Sequence, residues 1–268
     1  GPVQVEGIIA NGELVDDWSQ TGESAVAAVV LQQTPFYGEA GGQVGDVGQL
    51  NAQATTFQVT DTVRDGELLL HIGYLDSGSL TTGDPLTAQV DDQRRDGIRR
   101  AHSATHLLHH ALQTVLGPNA MQRGSKVEQD AFRFDFAHKQ PVTADELRQI
   151  EDVINARVAQ GAEVTTELMN LDDAREAGAM ALFGEKYPDR VRVVRMGNFS
   201  TELCGGTHLD NTGQVGLCRV VSEDPVAKGI RRISALTGPR AHQQIRQTES
   251  VVQQLSVALK APPEELLP

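Results

Sequence analysis

Cysteine is nearly absent from this 268-residue chain, which has only Cys204 and Cys218. That excludes a disulfide-stapled scaffold and fits a reducing compartment, so the expected location is the cytoplasm. Aromatic residues are few as well, 4% with a single Trp, and no run of 18 apolar residues occurs. A membrane-spanning helix is thereby excluded, and no membrane partner is expected. The chain has neither an initiator methionine nor a basic, apolar leader, and its Gly1-Pro2 start has the form of a protease-cleavage scar, the mark of an excised fragment. Positive charge is also scarce. Against 36 Asp and Glu stand 23 Lys and Arg, a net charge of −13, which argues against a general nucleic-acid binder. Basic residues do gather locally at Arg94, Arg95, Arg99 and Arg100, at Arg123 and Lys126, and at Lys228, Arg231 and Arg232. Acidic surface elsewhere would confine binding to one groove.

Glycine, by contrast, is abundant, with 26 residues, and it punctuates the first ninety positions. Short β-prone runs (Ser24 to Leu31, Thr55 to Thr60, Glu67 to Ile72, Pro85 to Val90) alternate there with Gly, Asp, Asn and Pro. Asp65-Gly66 is a strong hairpin signal. Six or seven strands in this space predict a small β-barrel or sandwich over residues 1–91. Within it, Gly38 to Gly48 is glycine-dense, but no helix pattern follows, so it is neither a dinucleotide fingerprint nor a phosphate loop. Tight turns and bulges are its expected use.

Asp92 to Leu116 reads as one helix, stopped by Gly117-Pro118. Phe132 to Phe136 alternates like a half-buried strand, and Thr143-Ala144-Asp145-Glu146 is a capping box opening a helix to about Gln160. Glu163 to Met169 is predicted as a strand and Asp172 to Leu182 as a short helix. Val191 to Met196, Val215 to Ser222 and Ile230 to Leu236 are predicted as further strands. The mixture predicts an α+β sandwich over residues 92–238, followed at 239–268 by a helix whose apolar seam (Ile245, Val252, Leu255, Leu259) has few partners in the chain.

The chemistry concentrates in two places. On the long helix, His102, His106 and His109 fall within about 60° of one another, while Ala104, Leu107, Leu108, Ala111, Leu112 and Val115 form a core stripe on the other side. A His-x-x-x-His pair can grip a metal ion or be merely a solvated polar face. The second place is Cys204-Gly205-Gly206-Thr207-His208, where two glycines let Cys and His wrap around one point. His102, His106, Cys204 and His208 together form a borderline-soft donor set suited to Zn2+ rather than to calcium or magnesium. A metalloprotease helix would carry Glu at position 103, where Ser stands, and no Gly-x-Ser-x-Gly elbow occurs. Cys204 as a thiol nucleophile beside His208 is the alternative to a metal role. The residues alone end at a zinc-containing α+β domain with a polar cleft beside Thr105, His109 and Gln122.

The motifs His102-Ser103-Ala104-Thr105-His106, Gln122-Arg123-Gly124-Ser125, Arg133-Phe134-Asp135-Phe136 and Cys204-Gly205-Gly206-Thr207-His208 resemble the editing domain of alanyl-tRNA synthetase. Thr34 to Gln43 resembles the barrel that precedes that domain, and Lys228 to Ile233 resembles the strand that closes it. Free-standing alanyl-tRNA editing proteins share the His and Cys/His motifs. The resemblance implies hydrolysis of seryl and glycyl esters at the 3′ end of tRNA(Ala), with alanyl ester spared. Zinc would sit on His102, His106, Cys204 and His208; Thr105, Gln122, His106 and Cys204 would form the catalytic pocket. Arg99, Arg123, Lys228, Arg231 and Arg232 are the candidates for tRNA contact, and the partners would be tRNA(Ala) and the aminoacylation and C-terminal domains of the same protein. A separate trans-editing protein and a non-catalytic, zinc-stabilised tRNA-binding module are the competing readings.

Overall fold

Along Pro2–Ala10, Val3, Val5 and Ile8 turn inward while Pro2, Gln4 and Glu6 face solvent, the alternation that closes one face of a sheet over a core. In the computed structural model, which describes residues 1–180 and 187–266, nine strands occupy this first part of the chain. They are β1 (Pro2–Ala10), β2 (Glu13–Val15), β3 (Asp17–Trp18), β4 (Val26–Leu31), β5 (Gly48–Asn51), β6 (Thr56–Asp65), β7 (Leu68–Ser77), β8 (Leu80–Thr81) and β9 (Pro85–Val90). The antiparallel order β1-β4-β7-β6-β5-β9 returns to β1 and closes a six-stranded barrel, with β2 added outside on β1. Closure removes the unpaired edges an open sheet would expose. Phe57, Leu50, Leu75 and Ile8 fill its core. Asp65-Gly66 makes the predicted hairpin, Gly66 taking φ +58°.

From β9 the chain enters α1 (Asp92–Leu116) directly, capped by the Asp91 carboxylate accepting from the Arg94 N–H. Next come β10 (Gln122–Glu128), β11 (Ala131–Ala137), α2 (Ala144–Gln160), β12 (Val164–Asn170), α3 (Leu171–Glu176), β13 (Arg190–Met196), β14 (Ser200–Leu203), β15 (Cys218–Ala227), β16 (Ile230–Thr237) and α4 (Gly238–Leu259). One antiparallel sheet runs β10-β11-β16-β15, with α1 and α2 packed against it; a smaller sheet runs β12-β13-β14. α1 and α2 run over the residues predicted from the sequence, with the Thr143/Glu146 capping box formed. The predicted helix from Asp172 to Leu182 is shorter: α3 stops at Glu176, where Ala177-Gly178 turns the chain with Gly178 at φ +77°. Its Ala181-Leu182 end lies outside the described residues. On α4, Val251, Leu255, Val257 and Leu259 are exposed.

The barrel and the α+β unit are joined by more than the β9–α1 connection. The Val44 N–H donates to the Val127 carbonyl (3.1 Å), and the Val127 N–H donates to the Gly42 carbonyl (2.7 Å), so the glycine-dense loop is stitched to β10. At Gly42, with φ +82°, any side chain would run into the Ser125 backbone. Among the described residues no helix is long and apolar enough to cross a membrane.

Candidate metal centre

α1 is buried almost all round, not along one stripe. Its apolar side faces the sheet, and His102, Ser103, Thr105, His106 and His109 are buried too. What covers this polar side is the turn after β14, which carries Cys204 to His208, together with the glycine-dense loop of the barrel. His102, His106, Cys204 and His208 each offer one ligand atom, and these atoms all lie within 4.8 Å of one another. Cys204 Sγ is 3.3 Å from His102 Nε2 and 3.2 Å from His208 Nε2. Zinc bond lengths in a tetrahedron put sulfur and nitrogen about 3.6 Å apart, so small outward movements admit the ion. One thiolate and three imidazoles suit zinc.

The other ring nitrogens are engaged as a metal ligand requires. His102 Nδ1 meets Gln43 Oε1 at 2.6 Å. His208 Nδ1 meets Ser103 Oγ at 3.2 Å, and that hydroxyl also accepts from the Leu209 N–H at 3.1 Å. His106 Nδ1 lies 3.2 Å from Glu202 Oε2, a close charge contact that is not a well-aligned hydrogen bond. Loop shape is set by arginines. Arg192 donates to the carbonyls of Cys204 (3.0 Å) and Gly206 (2.6 Å), and Arg99 donates to that of His208 (2.6 Å). A side chain at Gly206 would overlap the His102 ring.

The electrostatics favour the ligand-ready form at Cys204 and His208, and the protonated form at His106. Burial alone would raise the Cys204 thiol, but His102 and His208 beside it outweigh that and hold it well below its usual value. Burial and then the His102 charge push His208 down to about 3, leaving it neutral at pH 7. Burial would also lower His106 and raise Glu202; their mutual attraction overrides both, raising the imidazole and holding the carboxylate well below its normal range.

Beside the cluster opens a cleft of about 310 Å3, lined by Thr105, Gln122, Ser125, Glu202 and Arg192 and, from the barrel, by Tyr37, Ala40 and Gly41. Burial, then the Cys204 charge, raise the Tyr37 phenol to about 12, and its hydroxyl donates to the Ala40 carbonyl at 3.0 Å. Thr105 Oγ1 donates to the Ala101 carbonyl at 2.8 Å and still borders the cleft, so its lone pairs are what it offers there. Gln122 donates to Ser125 Oγ at 3.1 Å. His109 sits deeper, 3.4 Å from Glu202, and is not among the lining residues.

The basic candidates fare unevenly. Arg99 borders a second groove of about 680 Å3 that shares Arg192, Gly205 and Gly206 with the first cleft, although its guanidinium also meets Asp96 and Asp210. Arg232 is forked onto Asp135 at 2.6 and 2.8 Å, and Arg231 is paired with Glu223; both belong to β16, outside the cleft lining. Lys228 is exposed in the β15–β16 turn and Arg123 is exposed on β10. Two buried residues escaped the reading of the sequence, Glu202 and Gln43. A signal for Glu202 was present: Ser200, Glu202 and Cys204 alternate at period two, which puts them on one side of the strand. Gln43 had no such signal.

Residues 191–234, which take in β14, the Cys204–His208 turn and all but the first residue of β13, match the family described as the threonyl and alanyl tRNA synthetase second additional domain. Residues 2–94 match the family of class II (A) tRNA synthetases. The alanine–tRNA ligase of Idiomarina loihiensis is 48% identical over 263 residues, 98% of this chain and 30% of the relative. That of Nitrobacter winogradskyi is 54% identical over 88% of this chain and 28% of the relative, and that of Nitrosomonas eutropha 51% identical over 93% and 29%. Through nearly its whole length the chain is thus a member of the alanine–tRNA ligase family, while spanning about 30% of the length of the relatives it matches.

Proposed function

We propose that this region hydrolyses the ester of mischarged tRNA(Ala), cleaving seryl and glycyl esters and passing over alanyl ester. The need is physical. A synthetic pocket sized for alanine rejects smaller glycine, or one added hydroxyl, only weakly, so a second site must correct it. The observation that carries the reading is the cleft in which the His/Cys cluster, Thr105 and Gln122 meet. A zinc ion held by His102, His106, Cys204 and His208 would supply a fixed positive charge beside the ester and, with four protein donors, would act by positioning.

The chain's own residues set selectivity. Because the Thr105 proton is committed to Ala101, its oxygen accepts from a seryl hydroxyl; an alanyl methyl finds no partner there. Glu202 is the only carboxylate lining the cleft among the described residues, and it is kept charged, so it receives the α-ammonium group every aminoacyl ester carries. Gln122 and Ser125, already bonded to each other, also line the cleft. Arg99 and Arg192 in the adjoining groove present positive charge to the terminal phosphates.

A deacylation assay on seryl-, glycyl- and alanyl-tRNA(Ala) tests this. The first two are expected to lose their amino acid faster than spontaneously and the third to persist. Binding of all three without hydrolysis would leave the region a zinc-stabilised tRNA-binding module.

A further inference from the structure

Gln43 belongs to the barrel, yet it is fully buried against the metal cluster 59 residues on. Its carboxamide oxygen receives two contacts, one from the Thr207 backbone N–H at 2.9 Å and one from His102 Nδ1 at 2.6 Å. Its Nε2 donates to Thr207 Oγ1 at 3.0 Å. The Thr207 amide can only donate, so the atom facing it is the oxygen and not the NH2. An oxygen there can only accept, so His102 must carry its proton on Nδ1. Nε2, 3.3 Å from Cys204 Sγ, is then the ring nitrogen left to offer a lone pair to a metal ion.

We propose that Gln43 is a positioning residue for the metal centre: the barrel loop fixes the tautomer and ring direction of His102 and, through Thr207, the turn that carries Cys204 and His208. The proposal rests on the reading of the cluster as a metal site. It gives the glycine-dense stretch a purpose. Gly42 lets the loop lie against the Ser125 backbone, Gly45 lets it pass the Thr62 carbonyl, and Gly206 leaves room for the His102–Gln43 contact. A side chain at any of the three would shift Gln43 or its partner. The barrel is thus part of the metal site and not merely its neighbour.

The test uses the full 268-residue chain, stripped of metal and titrated with Co2+ and Zn2+ against a competing chelator, following the visible Co2+ bands and the dissociation constant. Gln43→Leu keeps the bulk and removes the acceptor. It is expected to raise the dissociation constant about 10–100-fold and to alter the Co2+ spectrum, the usual scale for losing an outer partner of a ligand. Gln43→Glu keeps an acceptor for both donors, the Thr207 hydroxyl reversing its role, and is expected to restore both readouts. Should Gln43→Leu not fold, Gln43→Asn, which keeps the amide but draws it back from His102, is expected to show the same loss. Wild-type affinity and spectrum in Gln43→Leu would overturn the proposal, as would equal losses in Gln43→Leu and Gln43→Glu. A wild-type chain that takes up neither ion would sink the metal reading itself.

Discussion

Both halves of the molecule bury histidine, and they treat it differently. In the barrel, His71 is fully buried and bonded through both ring nitrogens, to Thr34 Oγ1 at 2.7 Å and to the Val29 carbonyl at 2.8 Å. Nothing is left over for chemistry. In the α+β unit, His102 and His208 each spend Nδ1 on Gln43 or Ser103 and turn Nε2 toward the Cys204 sulfur. A histidine satisfied twice is a beam in the structure, and one satisfied once with a thiol opposite keeps a nitrogen that could ligate a metal.

The largest expected effect that separates the two follows from removing metal. Chelation should lower unfolding free energy by about 4 kcal/mol if free ion was present at a thousand times its dissociation constant. Denaturant titration with and without zinc measures it, and Cys204→Ala should show no response to chelator. A chelator-insensitive wild type would erase the distinction drawn between the histidine sets.

Thr105→Val asks whether half-satisfaction extends to hydroxyls. Preference for seryl over alanyl ester should fall by about 1–2 kcal/mol, the scale of one hydrogen bond, with zinc content unchanged. An unaltered ratio in the deacylation assay would return Thr105 to a purely structural role through Ala101.

The smallest effect belongs to His71. Burial lowers its folded pKa below the usual 6.5, so the unfolded chain binds the extra proton first. The stability held by neutral His71 is complete above about pH 6.5 and is lost as the pH falls from there toward the lower folded value. Replacing His71 with Gln should flatten the stability–pH curve below pH 6.5 relative to wild type, both measured under the same metal conditions so that the cluster's own titrations are common to the two. An equally steep curve in the variant would place the acid sensitivity elsewhere.

Much of this architecture could be read from the chain because the relevant information is local. The Asp91 cap and the Gly117-Pro118 stop mark α1, and the Thr143/Glu146 box marks α2, within a few residues of the structure they cause. Six or more punctuated runs announced the barrel, though not its strand order, which depends on pairings such as Pro2 with Thr87. The four candidate ligands were legible from residue type and spacing. Gln43 was not, because its partners are 59 and 164 residues away and a glutamine among glycines carries no periodic signature. The overlong reading of α3 failed for the opposite reason: local helix formers run past Glu176, and Gly178 breaks the helix by backbone conformation.

The stitching of the glycine-dense loop to β10 also bears on how the chain folds. His102 and Cys204 are 102 residues apart, and Gln43 and Thr207 are 164 apart, so closing the centre needs three distant segments to arrive together. Loop closure of that span costs entropy that nearby contacts cannot offset, which makes it a late event. The barrel, whose longest pairing joins Pro2 to Thr87, and the α1–α2 pair each close over less chain and can form beforehand. Capture of a metal ion by the four donors would then act as a clasp on an almost finished molecule, and its rate in a refolding experiment would report the moment at which the two halves meet.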